Sequence, residues 1–221
     1  MARSGKRYGF TIALWEVGKT SPSLFRAVSD FRRSYAGHIK TSGLWKSMID
    51  ASWAPWPLRS WLANIIPHRD HNGDAWNFCH YWSNFEIADL DFFRSKEYRD
   101  FFDYLDKNGG FYFERVSNPC THLMSTPANH TQWGDAPVHS LAAALFLDPS
   151  EVHHFEDIGY RHDPFYISPA NAKGKQLPRS SVLGSAKWAD EEEGGVGCRC
   201  QTPKRQNFPN DCIASLKQGT V

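Results

Sequence analysis

Residues 95–110, SKEYRDFFDYLDKNGG, admit one local structure, an amphipathic helix with both ends marked. Ser95 stands where an N-cap side chain accepts from the first turn, and Gly109 stands where a helix stops. Tyr98, Phe101, Phe102 and Leu105 recur at i, i+3, i+4 and i+7, which sets one apolar stripe. A second helix is predicted over WGDAPVHSLAAALFL, residues 133–147. There Asp135 takes the N-cap position, Pro137 falls in the first turn, and Val138, Leu141, Ala142 and Leu145 form the buried stripe. Tyr8–Trp15, YGFTIALW, reads as one buried strand. Ser21-Pro22 follows as cap and first-turn proline of a helix on which Leu24, Phe25, Val28 and Phe31 share a face. FYFER (111–115) and Glu151–Phe155 are expected as strands, and EDIGYRHDPF (156–165) as a loop leaving the latter. Strands alternating with helices predict an α/β layered domain, and 221 residues supply one good-sized core.

Composition narrows the function classes. Apolar content is 41%, charged content 22% and net charge +1, so nothing argues for nucleic acid or an anionic membrane as partner. The longest apolar run, Leu141–Leu147, is far short of the ~20 residues a membrane span needs. The N-terminal MARSGKRYGF carries basic residues without an apolar stretch behind them, so it does not read as a signal peptide. Taken literally, the sequence is that of a soluble chain. Nine Trp suit a protein that presents flat apolar faces to sugars, or simply a Trp-rich core. Trp45, Trp53, Trp56 and Trp61 lie in a Trp/Pro-rich excursion, 40–75, that suits either an acceptor groove or packed surface.

Cys79, Cys120, Cys198, Cys200 and Cys212 lack the paired CxxC spacing of a zinc knot. A disulfide-bearing lumenal tail is the better expectation, with connectivity open. Residues 170–221 are loop-rich, and the acidic run DEEEGG at 190–195 reads as a solvated loop.

Residues 116–132 stand apart, with one Leu, one Met and no aromatic. Joining FYFER directly to WGDAPVHS gives a connection of ordinary length, whereas a long structureless loop there is uncommon. The segment reads as an insert foreign to the fold.

The chemistry-bearing candidates are few. Glu86 closes the aromatic run NFCHYWSNFEI, and a carboxylate in apolar surroundings is either a perturbed acid, base or nucleophile, or half of a salt bridge. Asp135 is a helix cap or an active-site carboxylate. His162, in YRHDPF, suits a metal ligand or a structural role. His153 and His154 alternate faces in a strand and cannot both enter one site. Glu156-Asp157 is an acidic pair or a strand end. No Walker loop, GxGxxG, GxSxG or HExxH is present.

Four ordered blocks carry a resemblance: CHYWSNFEIADLDFFRS, YRDFFDYLDKNGGFYFER, WGDAPVHSLAAALFL and HHFEDIGYRHDPF. They strongly resemble the fungal α-1,2-mannosyltransferases of glycosyltransferase family 15, with KRYGFTIALWE and, more loosely, the CRC…C tail in support. The resemblance spans most of residues 6–165 outside the Trp/Pro excursion and 116–132. It implies a nucleotide-diphospho-sugar transferase-like, GT-A-type α/β domain with a mixed sheet flanked by helices. It also implies a Golgi type II membrane enzyme that transfers mannose from GDP-mannose to a mannose-terminated glycan with retention, using Mn²⁺. Carried over, Glu86 falls on the proposed nucleophile, Asp135 on an active-site carboxylate and His162 on the Mn²⁺-binding histidine. Glu86 and Asp135 are 49 positions apart, and 32 without the seventeen residues 116–132, which suits the family layout.

Two departures qualify the resemblance. The chain starts where the family's second half starts, so the N-terminal part, with anchor, stem and an acidic block facing metal and donor, is expected to be missing. The family's Cys after the GYRHDPF block is Ser168 here, which puts one family disulfide in doubt. Residues 116–132 fit a retained intron: Val-Ser can encode a GTAAGT-type start, Thr-Gln a terminal CAG, and Ala128-Asn129 a CTAAC string. The sequon at Asn129 would then be accidental, and the competing reading is a surface loop beside the active site. The alternative function is a catalytically inactive fragment or sugar-binding remnant of such an enzyme.

Overall fold

The computed structural model describes residues 2–40, 43–114, 133–156, 158–162, 165–167 and 211–218. Along the chain, β1 (Tyr8–Phe10) and β2 (Ala13–Trp15) precede α1 (Leu24–Ser34), α2 (Gly43–Ser47), β3 (Ile49–Asp50) and α3 (Trp56–Ile65). β4 (Ala75–Trp76) and β5 (Cys79–Tyr81) follow, then a 3₁₀ turn at Ser83–Phe85 leading into β6 (Glu86–Ala88). Next come α4 (Leu90–Arg94), α5 (Lys96–Asn108), α6 (Gly110–Phe113) and α7 (Asp135–Phe146). β7 (Val152–His154), β8 (Tyr160–His162), β9 (Phe165–Ile167) and α8 (Asp211–Gln218) complete the described elements.

The sheet is mixed, as the α/β expectation requires. β1 is central, antiparallel to β6 and parallel to β7. β2 pairs antiparallel with β5 in a second sheet. The expected single strand over Tyr8–Trp15 is therefore two strands, and the chain changes sheets at Thr11-Ile12. Residues 8–14 are all buried, so no alternation of apolar and polar residues marks the break.

α7 crosses β5 and the 3₁₀ turn. Ten of its twelve residues are buried, so it is the core helix of the fold rather than a one-stripe surface helix. Ser140 fixes its position: its Oγ accepts from the Tyr81 N–H at 2.8 Å and donates to the Ala136 carbonyl at 2.6 Å. α5 has the expected ends, with Ser95 Oγ accepting from the Tyr98 N–H at 3.1 Å and Gly109 at φ 82°. Tyr98, Phe101 and Leu105 face the core, while Phe102 is turned out.

Four local expectations are corrected. Residues 110–113 form the short helix α6, not a strand, because the chain restarts helically at Gly109 and packs Phe111 between Phe102 and Trp133. α1 begins at Leu24 with Ser23 at its N-cap position, so Ser21-Pro22 precedes the helix. Asp135 is the first residue of α7 with Gly134 at the cap position, which frees its carboxylate from capping. Residues 160–162 and 165–167 pair antiparallel as β8 and β9, where a loop was expected.

Cys79 in β5 is bonded to Cys212 in α8, which ties the tail to the core. Cys120, Cys198, Cys200, residues 116–132 and the acidic run at 190–195 lie outside the described residues. Trp45, Trp76 and Trp133 are buried, whereas Trp53, Trp56 and Trp61 are exposed. Among the described residues no helix is long and apolar enough to cross a membrane.

Candidate active site

Glu86 opens β6 opposite Phe10 of β1. Tyr8, two residues along β1, faces Ala88 and reaches Glu86 diagonally on the same face. Its hydroxyl donates to Glu86 Oε2 at 2.5 Å. From the other side, His139 of α7 places Nδ1 3.1 Å from Glu86 Oε1, its Nδ1–H donating to the carboxylate. Phe93 and Tyr98 edge the imidazole at 5.1 and 6.4 Å between ring centres and limit its rotation. Two elements thus hold one carboxylate.

Asp135 sits one turn before His139, on the same face of α7. Its Oδ2 accepts from Ser83 Oγ at 2.9 Å. Ser83 opens the 3₁₀ turn and Glu86 follows directly after it, so the turn is fastened to α7 on both flanks. A carboxylate in the first turn also gains from the helix dipole. Asp135 opens on a cleft of about 410 Å³ lined by Trp15, Glu16, His80, Trp82, Ser83 and Pro137, among others. Glu86 does not line this cleft; it follows directly on the turn that does. The two carboxylates share one scaffold, and of the two Asp135 lines the cleft.

Electrostatics follow burial. His80 is 5% exposed, and burial lowers its pKa despite the opposing pull of Glu16 and Asp135, so it is neutral near pH 7. Tyr8 is pushed well above the usual tyrosine value, first by burial and then by the Glu86 charge. It therefore stays a donor to that carboxylate.

His162 ends β8, and β8 begins beside the site, since the Tyr160 ring lies 6.0 Å from Phe85 of the turn. Only the backbone of His162 is among the described parts of the chain. His153 and His154 are successive residues of β7 and alternate faces, with His154 stacked on Phe10 of the neighbouring β1 at 4.9 Å. Among the described residues no three His, Cys, Asp or Glu side chains converge as a cation site. Sequence reasoning passed over Tyr8, Ser83, His80 and His139. Only His139 had a signal, its i+4 spacing from Asp135 on a predicted helix.

Residues 1–176 match the family described as glycolipid 2-alpha-mannosyltransferase. The O-glycoside alpha-1,2-mannosyltransferase homolog 2 of Schizosaccharomyces pombe is 41% identical over 180 residues, 81% of this chain and 38% of that protein. The glycolipid 2-alpha-mannosyltransferase of Saccharomyces cerevisiae is 39% identical over 169 residues, 76% of this chain and 30% of that protein. The chain thus spans about a third of these relatives' length. Core-mannan synthase A from Aspergillus fumigatus, solved in an Mn/GDP form, superposes with a TM-score of 0.62 at 30% identity, covering 99% of this chain and 45% of that one. The mannosyltransferase Ktr4p from S. cerevisiae in complex with GDP gives 0.60 at 27% identity, covering 100% of this chain and 45% of that one. With these structures the chain shares a GT-A-type mixed-sheet α/β architecture, and with residues 1–176 matched it belongs to the glycolipid 2-alpha-mannosyltransferase family, glycosyltransferase family 15.

Proposed function

We propose that this chain is part of the catalytic domain of a retaining α-1,2-mannosyltransferase that moves mannose from GDP-mannose to a mannose hydroxyl of a protein- or lipid-linked glycan. The observation that carries the reading is a Glu86 carboxylate fixed by Tyr8 and His139, one short turn away from Asp135 at a Trp-walled cleft. In this reading a Glu86 oxygen bonds to the anomeric carbon as the C1–O bond to the diphosphate breaks and GDP leaves with the electron pair. The acceptor hydroxyl then displaces Glu86 from the opposite side, so the two inversions retain configuration. Asp135 orients that hydroxyl and takes its proton. Trp15 and Trp82 offer flat faces to a pyranose ring at the cleft, and neutral His80 offers a hydrogen-bonding wall.

The Mn/GDP form of core-mannan synthase A supports a metal–nucleotide donor. Bound Mn²⁺ would supply charge neutralisation to the leaving diphosphate, and His162 is its proposed ligand. The Cys79–Cys212 bond needs an oxidising compartment, which supports a Golgi-lumenal location.

The deciding assay is transfer of mannose from GDP-mannose to methyl α-mannoside by this chain, with and without Mn²⁺. Transfer is expected, with Glu86→Gln and Asp135→Asn each losing about 100-fold or more in kcat. A Glu86→Gln variant at the full rate would remove Glu86 from the chemistry. A second reading stands beside this one, a catalytically inactive fragment or sugar-binding remnant of such an enzyme. Mannoside binding without any transfer would assign the chain to it.

A further inference from the structure

The two donors on Glu86 act on its charge as much as on its position. Oε2 accepts from the Tyr8 hydroxyl at 2.5 Å, and His139 Nδ1 is shared between Oε1 at 3.1 Å and Oε2 at 3.3 Å. Among the described residues no Lys or Arg pairs with this carboxylate, so its negative charge is met by these two groups. Both are fixed in advance. Tyr8 is buried on the central strand, and His139 rides on α7 beside Ser140, which bonds to β5. Phe93 and Tyr98 pack against the imidazole. Burial, and then the Glu86 charge, raises the pKa of Tyr98 as well, so the field of this carboxylate reaches past its partners.

Hydrogen bonds to an ionised group are the strong ones, and they weaken when the charge is lost. That asymmetry matters in a double displacement at Glu86, the reading on which this inference rests. In the first half-reaction a Glu86 oxygen gives its electron pair to the anomeric carbon, the C1–O bond to the diphosphate breaks, and GDP takes that pair. No proton moves, and the charge met by Tyr8 and His139 is consumed in a neutral ester. In the second half the acceptor oxygen bonds to C1 and the bond from C1 to Glu86 breaks. Its pair returns to the carboxylate, and the hydroxyl proton passes to Asp135. Both hydrogen bonds then regain full strength. The donors therefore favour free carboxylate over ester: they assist its departure and oppose its attack. Oε2 carries both donors and Oε1 only the shared one, which leaves Oε1 as the attacking oxygen.

We propose that His139 is a positioning residue that keeps the mannosyl–Glu86 ester short-lived, by orienting the carboxylate and stabilising it as it leaves. The test compares His139→Leu with His139→Asn, whose amide N–H falls near the place of Nδ1. Transfer from GDP-mannose to methyl α-mannoside with Mn²⁺ should show kcat about 10–100-fold lower in His139→Leu, the effect of losing one hydrogen bond to a charged group. kcat/KM for GDP-mannose should hold or rise, because it reports the steps up to GDP departure. Acid-quenched His139→Leu should carry one mannosyl group on the peptide containing Glu86, and the wild type much less. His139→Asn should restore most of kcat. A histidine that is merely structural lowers kcat and kcat/KM together and leaves no adduct, and that result overturns the proposal, as does a His139→Asn variant no faster than His139→Leu. A wild-type chain that releases no GDP, or Glu86→Gln at the full rate, defeats the nucleophile reading and this inference together. An inactive Glu86→Gln beside a fully active His139→Leu defeats this inference alone. One readout needs no turnover: nitrogen NMR of the chain without substrate should find a proton on His139 Nδ1, and a bare Nδ1 overturns the proposal.

Discussion

Tyr8 and Tyr81 are both 0% exposed and lie with ring centres 5.4 Å apart, but they differ in what their hydroxyls meet. The Tyr8 hydroxyl donates to Glu86, whereas that of Tyr81 finds no partner among the described residues. Tyr8→Phe should therefore cost about 1–3 kcal/mol in urea unfolding, because it strips a donor from a half-buried carboxylate. Tyr81→Phe should be neutral or stabilising by up to ~1 kcal/mol, since it removes only an unpaired buried hydroxyl. Equal losses in both would contradict this contrast. The same residues set an alkaline limit. Burial raises Tyr8, with the Glu86 charge adding to it, and burial alone raises Tyr81. The folded state then holds phenolic protons that the unfolded chain releases near the ordinary tyrosine value. Their contribution is complete below about pH 10 and is lost as pH rises through the higher folded values. Thermal melts should be flat in this respect up to about pH 10 and fall beyond it, and the double variant Tyr8→Phe/Tyr81→Phe should flatten that fall. The sequence marks Glu86, a carboxylate closing an aromatic run. Tyr8 carries no mark, because its diagonal reach to Glu86 exists only once β1 and β6 are in register.

Elements with local end signals were legible: α5 needs only Ser95, Gly109 and its stripe, all within fifteen positions. Features set by tertiary contact were not. FYFER has the composition of a strand, but Trp133, many positions later, makes 110–113 helical. A Cβ on Gly110 would lie 2.1 Å from the Trp133 ring, and Trp133 Nε1 donates to Glu114 at 2.6 Å. Gly110→Ala must therefore displace a ring that is 2% exposed, and should lower stability by about 1–3 kcal/mol in thermal melts. A normal melting temperature would mean that the ring has somewhere else to go. The same contacts bear on residues 116–132. The residues flanking that segment are already joined side chain to side chain, through Glu114 and Trp133 and through Phe111 at 5.4 Å from the Trp133 ring. Deleting 116–132 should leave the circular dichroism spectrum unchanged and add roughly 1–2 kcal/mol by shortening the loop that must close. A deletion variant that fails to fold would instead make the segment part of the structure. Whether it is a retained intron is read separately, from the mature transcript across codons 115–133.

At the scale of the whole molecule, the question is what holds an eight-residue terminal helix to a core more than a hundred positions away. α8 is too short to be stable by itself, and it packs against α2, β2 and β5 through Cys212, Ile213 and Leu216. Burial of Ile213 and Leu216 contributes on the order of 2 kcal/mol each, less than the cost of ordering eight backbone residues at about 1–2 kcal/mol apiece. The remaining term is covalent. Cys79 and Cys212 are 133 positions apart, so their bond removes loop-closure entropy from the unfolded chain worth about 4–5 kcal/mol in the chain-entropy description. It acts on β5, the strand on which α7 is seated and from which His80 faces the cleft. The sequence made a disulfide in the tail plausible but left its partner open, because pairing is decided by which strand α8 reaches. Cys212→Ser should lower the melting temperature by roughly 10 °C, since about 4 kcal/mol is shared over a domain of this size. Amide exchange should rise first in α8 and then in β5. Reduction of the wild-type chain should reproduce both effects without mutation. If Cys212→Ser instead melts like the wild type while α8 stays protected, packing alone holds the helix and the bond contributes nothing to stability.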